Sequence, residues 1–309
     1  MSFGILRTVA AFALIGGWAF QAVSASAQYR NADLLVTADA LSEAINVEAA
    51  FTMMGAPSQL RIVDVRSAEA FAAGHIPEAV NIPYTTLTDT EAQIDGALKA
   101  DAALADILSA AGIDAQTRVV LYDDEGGLRA SRLFWLLEYF GHSKSGLLDG
   151  GLQAWQASGY GLSQASGTGS QPIEAIAHFS INRMPRRVAS ADWILQRQFD
   201  PRVKVIDVRS GKMYRDGHIP SAMNIFWKGS LNADLTMKSA GRLHAHFVEF
   251  GALPEDNIVI YGQNGEMSAH TYFALRLLGY PQVRVYQRSW AEWGNSGDLP
   301  SESGGAGQW

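Results

Sequence analysis

The residues of this chain best placed to do chemistry lie in two short segments of similar shape. Asp123-Asp124-Glu125-Gly126-Gly127 follows the apolar run Val119-Val120-Leu121-Tyr122, and Gly262-Gln263-Asn264-Gly265-Glu266-Met267 follows Ile258-Val259-Ile260-Tyr261. A Gly-containing loop between a buried strand and a helix start collects backbone N–H groups around one point. Such a point suits an anion or a nucleophile with a lowered pKa. In the first segment three acids precede a Gly pair. They lack the alternate spacing of an EF-hand loop, so helix-capping carboxylates are the expected reading. In the second segment the leading residue, Gly262, has no side chain to do chemistry with.

The chain has no cysteine, which excludes disulfides, thiolate metal sites and a cysteine nucleophile. His244 and His246, with Glu249 nearby, are spaced as a strand would present a metal pair. Their surroundings, Arg242–Phe250, read as helix, where ligands fall at i and i+4, so no metal site is expected. His75 and His218 recur in identical Gly-His-Ile-Pro turns and are read as structural. No motif calls for a cofactor.

The elements that must position these loops come as a duplicated unit. Ile62-Val63-Asp64-Val65-Arg66-Ser67 returns as Val205-Ile206-Asp207-Val208-Arg209-Ser210, and Asn81-Ile82 returns as Asn224-Ile225. Over Ile62–Ile82, 11 of 21 positions are identical at one offset. In each copy short apolar strands alternate with helices. The first copy predicts strands at Arg61–Val65, Arg118–Tyr122 and Leu147-Leu148, with helices at Ala68–Ala73, Ala97–Ala110, Ala130–Phe140 and Leu152–Ala157. The second predicts strands at Val203–Val208, Ile258–Tyr261 and Val283–Tyr286, with helices at Gly241–Phe250 and Ser268–Leu278. This alternation implies an α/β fold of two domains, each a mainly parallel sheet flanked by helices on both faces. Ligands of such sheets bind beyond the carboxyl ends of the strands, where both loops fall.

A chain of 309 residues with 48% hydrophobic and 18% charged residues is long enough for two cores. A net charge of −7 argues against a nucleic-acid partner. Residues 1–27 read as a Sec-type signal peptide: Arg7, then the apolar run Thr8–Phe20, then Ala25-Ser26-Ala27 before the cleavage point. The expected location is therefore periplasmic or secreted, with no stable membrane insertion after cleavage. The first domain is expected over 34–162, a Gly/Ser-rich linker over 163–178, the second domain over 179–300 and a flexible tail over 301–309.

The Asp-Val-Arg-Ser and Gly-His-Ile-Pro-x-Ala-x-Asn-Ile blocks resemble the N-terminal signature of rhodanese domains. Leu148-Asp149-Gly150-Gly151-Leu152-Gln153-Ala154-Trp155 and Ser289-Trp290-Ala291-Glu292-Trp293 resemble the closing motifs of tandem sulfurtransferases that act on thiosulfate or 3-mercaptopyruvate. The resemblance implies a second domain whose six-residue loop begins with a cysteine that carries sulfur as a persulfide. It also implies a first domain with a non-cysteine there, often Asp, as Asp123 is. Arg209 is the candidate for anion contact on the same grounds. Here Gly262 holds the nucleophile's place, and neither it nor Asp123 can form a persulfide. The loop also has no Lys or Arg, and Glu266 opposes an anionic donor.

No residue is therefore assigned a catalytic role. The candidate ligand-binding residues are Gly262, Gln263, Asn264, Gly265, Glu266, Met267 and Arg209. The expected function is a member of this family inactive in persulfide transfer, binding a small anion or sulfur compound, or a periplasmic protein partner. The alternative is an enzyme of altered chemistry using the same loop, Asp123 or Glu266.

Overall fold

The computed structural model describes residues 29–54, 59–164 and 177–305. The expected signal peptide and most of the expected linker lie outside them. The first domain is built on β1 (Leu35–Val36), β2 (Leu60–Asp64), β3 (Ala79–Asn81), β4 (Arg118–Tyr122) and β5 (Ser145–Leu148), in the order β1-β5-β4-β2-β3. The second uses β6 (Val203–Asp207), β7 (Met223–Asn224), β8 (Asn257–Tyr261) and β9 (Val283–Val285), in the order β7-β6-β8-β9. Every pairing between these strands is parallel. The register repeats as well, with Asp64 opposite Tyr122 and Asp207 opposite Tyr261.

The first domain carries helices α1 (Ala38–Met53), α2 (Ala68–Ala73), α3 (Asp101–Ala110), α4 (Ala130–Tyr139) and α5 (Gly151–Ala157). The second carries α6 (Ala191–Leu195), α7 (Gly211–Asp216), α8 (Ala240–Glu249), α9 (Glu266–Leu278) and α10 (Ser289–Trp293). Four helices begin where the sequence provides a cap: Thr37, Ser67, Ser190 and Ser210 each accept an N–H three residues on. The helix expected from Ala97 starts only at Asp101. Residues 97–99 are drawn into an antiparallel bridge, in which Asp89 donates to Ala97 and Lys99 to Leu87, and a bridged segment cannot wind. Helix α1, which the sequence reading did not assign, packs against α5 on the outer face of the first sheet.

The repeated Asp-Val-Arg-Ser block works as a structural clamp in both copies. Asp64 and Arg66 form a buried ion pair at 2.6 Å, and Arg66 also donates to the Gly74 carbonyl. Asp207, Arg209 and Gly217 repeat this. Asn81 and Asn224 each donate to the two carbonyls flanking the clamp. His75 stacks on Phe71 at 3.8 Å and bonds its carbonyl, and His218 does the same with Tyr214. Their ring nitrogens and faces serve the turn, as their recurrence implied.

The two domains share one core. Helices α4 and α9 pack together, with Phe134 edge-on to Phe273 at 5.0 Å. Residues 130–137 of α4 are all buried, which is why this helix is apolar on nearly every side. The chain ends of the domains cross over. Asn31 donates to Leu277 and Arg276 of the second domain, while Phe179 is buried beside Phe140, and Asn182 and Met184 donate to Phe140 and Tyr139 of the first. The strip 179–184, assigned to the second domain from sequence, therefore lies against the first. Two segments expected to be linker and loose tail begin in order: Ser163 pairs with His75, and Glu302 pairs with His218. In each case an extended strand satisfies the backbone of the Gly-His-Ile-Pro turn.

Candidate functional site

Both loops stand where parallel strands end and a helix begins, but they are filled differently. The Asp123 carboxylate is fully buried and accepts four backbone N–H groups, from Glu125 and Gly127 on one oxygen and from Arg129 and Ala130 on the other, at 2.8 to 3.0 Å. Each oxygen is thereby occupied. This is the capping role expected from its position, carried further than a single cap.

The equivalent place in the second domain is vacant of side chain because it is Gly262. The Gly262 N–H donates to Ser289 Oγ at 3.1 Å, and the carbonyls of Gly262 and Gln263 accept from Trp290 and Ala291. The loop's carbonyls are thus turned to α10, while the first-turn N–H groups of Glu266, Met267 and Ser268 have no acceptor among the described residues. A Cβ placed on Gly262 would stand 3.4 Å from the Ser268 nitrogen, one of these three donors.

The helix expected from Ser268 starts at Glu266, so Glu266 and Met267 belong to its first turn. Ala269 is the counterpart of Ala130, where α4 begins, so α9 starts three residues earlier than its twin. In the first domain the Asp123 carboxylate holds the preceding N–H groups in an open loop. Without it, Gly265 at φ +98° caps a turn that winds into helix, and its carbonyl accepts from Ala269.

Arg209 does not face this cradle. It is buried under Trp290, 4.4 Å from the ring centroid, and committed to Asp207 and Gly217. The cation that reaches the loop comes instead from the first domain, which sequence reading missed. Arg132, 1% exposed, donates to the carbonyls of Asn264 and Gly96 and lies 3.7 Å from a Glu266 oxygen. Burial lowers its pKa, with Glu266 and Asp95 opposing that shift. The tip Asp95–Gly96 closes over the loop: Asn264 donates to Asp95 at 3.1 Å and Gln287 to the Gly96 carbonyl at 2.6 Å. Gly96, at φ +75°, lies so close to the Asn264 carbonyl that no Cβ would fit. No spacing signal in the sequence connects residues so far apart.

The cover is reciprocal. His270 of α9 reaches the Gly126 carbonyl of the first loop, and the Met237 N–H donates to Asp149 at 2.7 Å. Burial pushes the Asp149 carboxyl up to about 6, the Met237 N–H opposes this, and Asp234 adds to it. His244 is exposed, whereas the His246 ring packs against Phe247 and Phe250. No group of three metal-ligating residues occurs among the described residues.

A fold of two clamped parallel-sheet units with paired strand–loop–helix sites defines a tandem rhodanese architecture, and comparison agrees. The family described as Rhodanese-like domain matches residues 46–158 and again 190–296, and the chain belongs to that family. It is similar to a thiosulfate sulfurtransferase of Azotobacter vinelandii, 32% identical over 252 residues, covering 79% of this chain and 91% of that one. It is also similar to the sulfur carrier protein TtuD of Thermus thermophilus, 31% identical, covering 76% of this chain and 87% of that one. Among solved structures, an anaerobic ergothioneine biosynthesis enzyme from Chlorobium limicola superposes with a TM-score of 0.77 at 21% identity, over 90% of this chain and 72% of that one. At that identity the likeness is one of fold.

Proposed function

We propose that this chain is an exported member of the rhodanese family that does not transfer sulfur through a protein persulfide and instead holds a small anion, of the size of the family's sulfur oxyanions, at the second-domain loop. One observation carries the reading. The two domains place equivalent loops at the ends of their strands; Asp123 fills the first with its own carboxylate, while Gly262 brings no side chain to the second, where the N–H groups of Glu266, Met267 and Ser268 have no acceptor among the described residues. A chain with no cysteine has no thiolate to attack thiosulfate or 3-mercaptopyruvate.

The alternative of altered chemistry at Asp123 loses its support, because both carboxylate oxygens already accept N–H groups in a buried loop. A periplasmic protein partner is compatible with the reading but no feature of the site favours it. Export rests on the sequence of residues 1–27, and no described helix is long and apolar enough to cross a membrane.

The test is twofold. Purified protein should show thiosulfate:cyanide and 3-mercaptopyruvate sulfurtransferase rates at the no-protein background. Calorimetry should detect binding of small anions that Gly262→Asp abolishes, since the new carboxylate would occupy the cradle as Asp123 does. Turnover above background, or anion binding unchanged by Gly262→Asp, would overturn the proposal.

A further inference from the structure

The edge of the first sheet carries a notch, at the end of β4 opposite the Asp123 loop. Strand β1 is two residues long and pairs only Leu147 and Leu148 of β5, so Ser145 and Gly146 have no strand on that side. The start of α1, the residues before β1 and the first residues of β4 and β5 enclose a hollow of about 460 Å³ there, a size typical of small-ligand pockets. Leu35, Val36, Ala40 and Val120 give it apolar walls, while Arg118 and Lys144 face a single acid, Asp33. Lys144 Nζ donates to the carbonyl and Oε1 of Gln116, both uncharged acceptors. Burial lowers the Arg118 pKa, and Asp33 opposes the shift. Ser145, also on the wall, is 5% exposed, and its Oγ has no hydrogen-bond partner among the described residues. A buried hydroxyl without a protein partner is the kind of group a bound molecule satisfies.

We propose that this notch is a second binding site, independent of the second-domain loop, for a small monocarboxylic acid with an apolar body. The planar fork of Arg118 matches a carboxylate, and Lys144 adds its charge at the exposed rim. The hydrocarbon part of the guest covers the apolar walls and leaves water. The charges select one negative charge: the two cations exceed Asp33 by one, and a second charge on the guest has no cation of its own and is repelled by Asp33. A smaller hollow of about 220 Å³ shares Asp33 and Ser143 with the notch. It brings Arg186, exposed and without an acidic partner among the described residues. The notch is thus a locally positive place on a chain of net charge −7.

The experiment titrates hexanoate and hexan-1-ol into the full chain at pH 7 by calorimetry. Wild type should bind hexanoate about tenfold or more tightly than the alcohol. Arg118→Gln should weaken hexanoate about tenfold and the alcohol little. Lys144→Gln, at an exposed position, is the second charge variant and should weaken hexanoate in the same direction. Ala40→Leu narrows the apolar wall and should weaken both compounds. Unfolding midpoints near the wild-type value would show that the variants are folded. Gly262→Asp should leave hexanoate binding unchanged, which separates this site from the second-domain loop. No hexanoate binding in wild type, equal affinity for acid and alcohol, or hexanoate binding unchanged in the folded charge variants overturns the proposal. Hexanoate binding lost in Gly262→Asp places the acid at the second-domain loop and overturns this proposal alone.

Discussion

His270 of the second domain donates through Nε2 to the carbonyl of Gly126 in the first domain's loop, across 3.2 Å and inside a fully buried contact. Arg132 returns the contact by bonding Asn264 in the second domain's loop. Each domain thus closes the other's loop. The interface is part of the site, and its ionisable groups couple site geometry to stability.

Two of those groups should oppose each other in acid. Burial lowers the His270 pKa from 6.5 to about 4, so its stabilising effect is present above 6.5 and lost as pH falls towards 4. Asp149 is raised from 3.8 to about 6, so its contribution is full below 3.8 and lost as pH rises through 6. Each shift is worth up to about 3 kcal/mol. Wild type should therefore change little in stability between these limits on their account. Asp149→Asn keeps an acceptor for the Met237 N–H and should expose the His270 loss, giving a protein that weakens steeply towards pH 4.5. Urea unfolding at pH 4.5, 5.5 and 6.5 checks this; identical pH profiles for the two proteins would refute it.

Asp123→Ala should be among the more damaging single changes in the first domain. It strands four N–H groups in a buried loop, at a cost of about 2–4 kcal/mol. Asp123→Asn should lose less, since it keeps one acceptor oxygen. Denaturant midpoints measure both, and a neutral Asp123→Ala would show that water satisfies the loop.

Gly262→Cys should fold, because the added Cβ meets nothing closer than the Met267 Cβ at 3.1 Å, a contact relieved by a shift of a few tenths of an ångström in the first turn of α9. The new thiol would lie at the α9 N-terminus, and its pKa should fall below about 8.5. The pH dependence of its alkylation rate reads this directly. Sulfurtransferase turnover should remain weak, since Glu266 balances Arg132, which reaches the loop from the first domain. Vigorous turnover would show that the balance matters less than the missing thiol.

Glu138 pins α4 to α9 by accepting a two-pronged contact from Arg276 at 2.9 Å and a hydroxyl from Tyr272, with Arg187 at 3.7 Å. Burial alone would raise its pKa, but the hydrogen bonds and charge of Arg276 bring it below the usual carboxylate value. Its stabilising effect is therefore present above the ordinary carboxylate pKa and lost as pH falls through the depressed one. Glu138→Ala leaves two arginines facing each other and should cost about 3–5 kcal/mol at pH 7. Thermal unfolding together with small-angle scattering would show both the loss and a loosened domain pair; an unchanged midpoint would count against this anchor.

Much of the fold was legible because its signals are local. Apolar runs of strand length ending in Tyr122 and Tyr261, helical stretches stopped by Gly141 and Gly279, and two copies of one motif point to the strands, the main helices and the parallel order without long-range information. Helix limits were less legible. The start of α9 depends on whether a carboxylate sits at the loop's first position, and the start of α3 on an antiparallel bridge formed by its preceding residues.

The sequence by itself determined the duplication, the absence of a thiol, and the exchange of a side chain for hydrogen at Gly262, since these are matters of residue identity. Only the tertiary structure decided the electrostatics of the loop. It committed Arg209 to a clamp and brought Arg132, 132 positions before Asn264, onto the loop's carbonyl. The physical reason is that a charge acts through distance in space, and the packing of α4 on α9 sets that distance with no trace in local spacing.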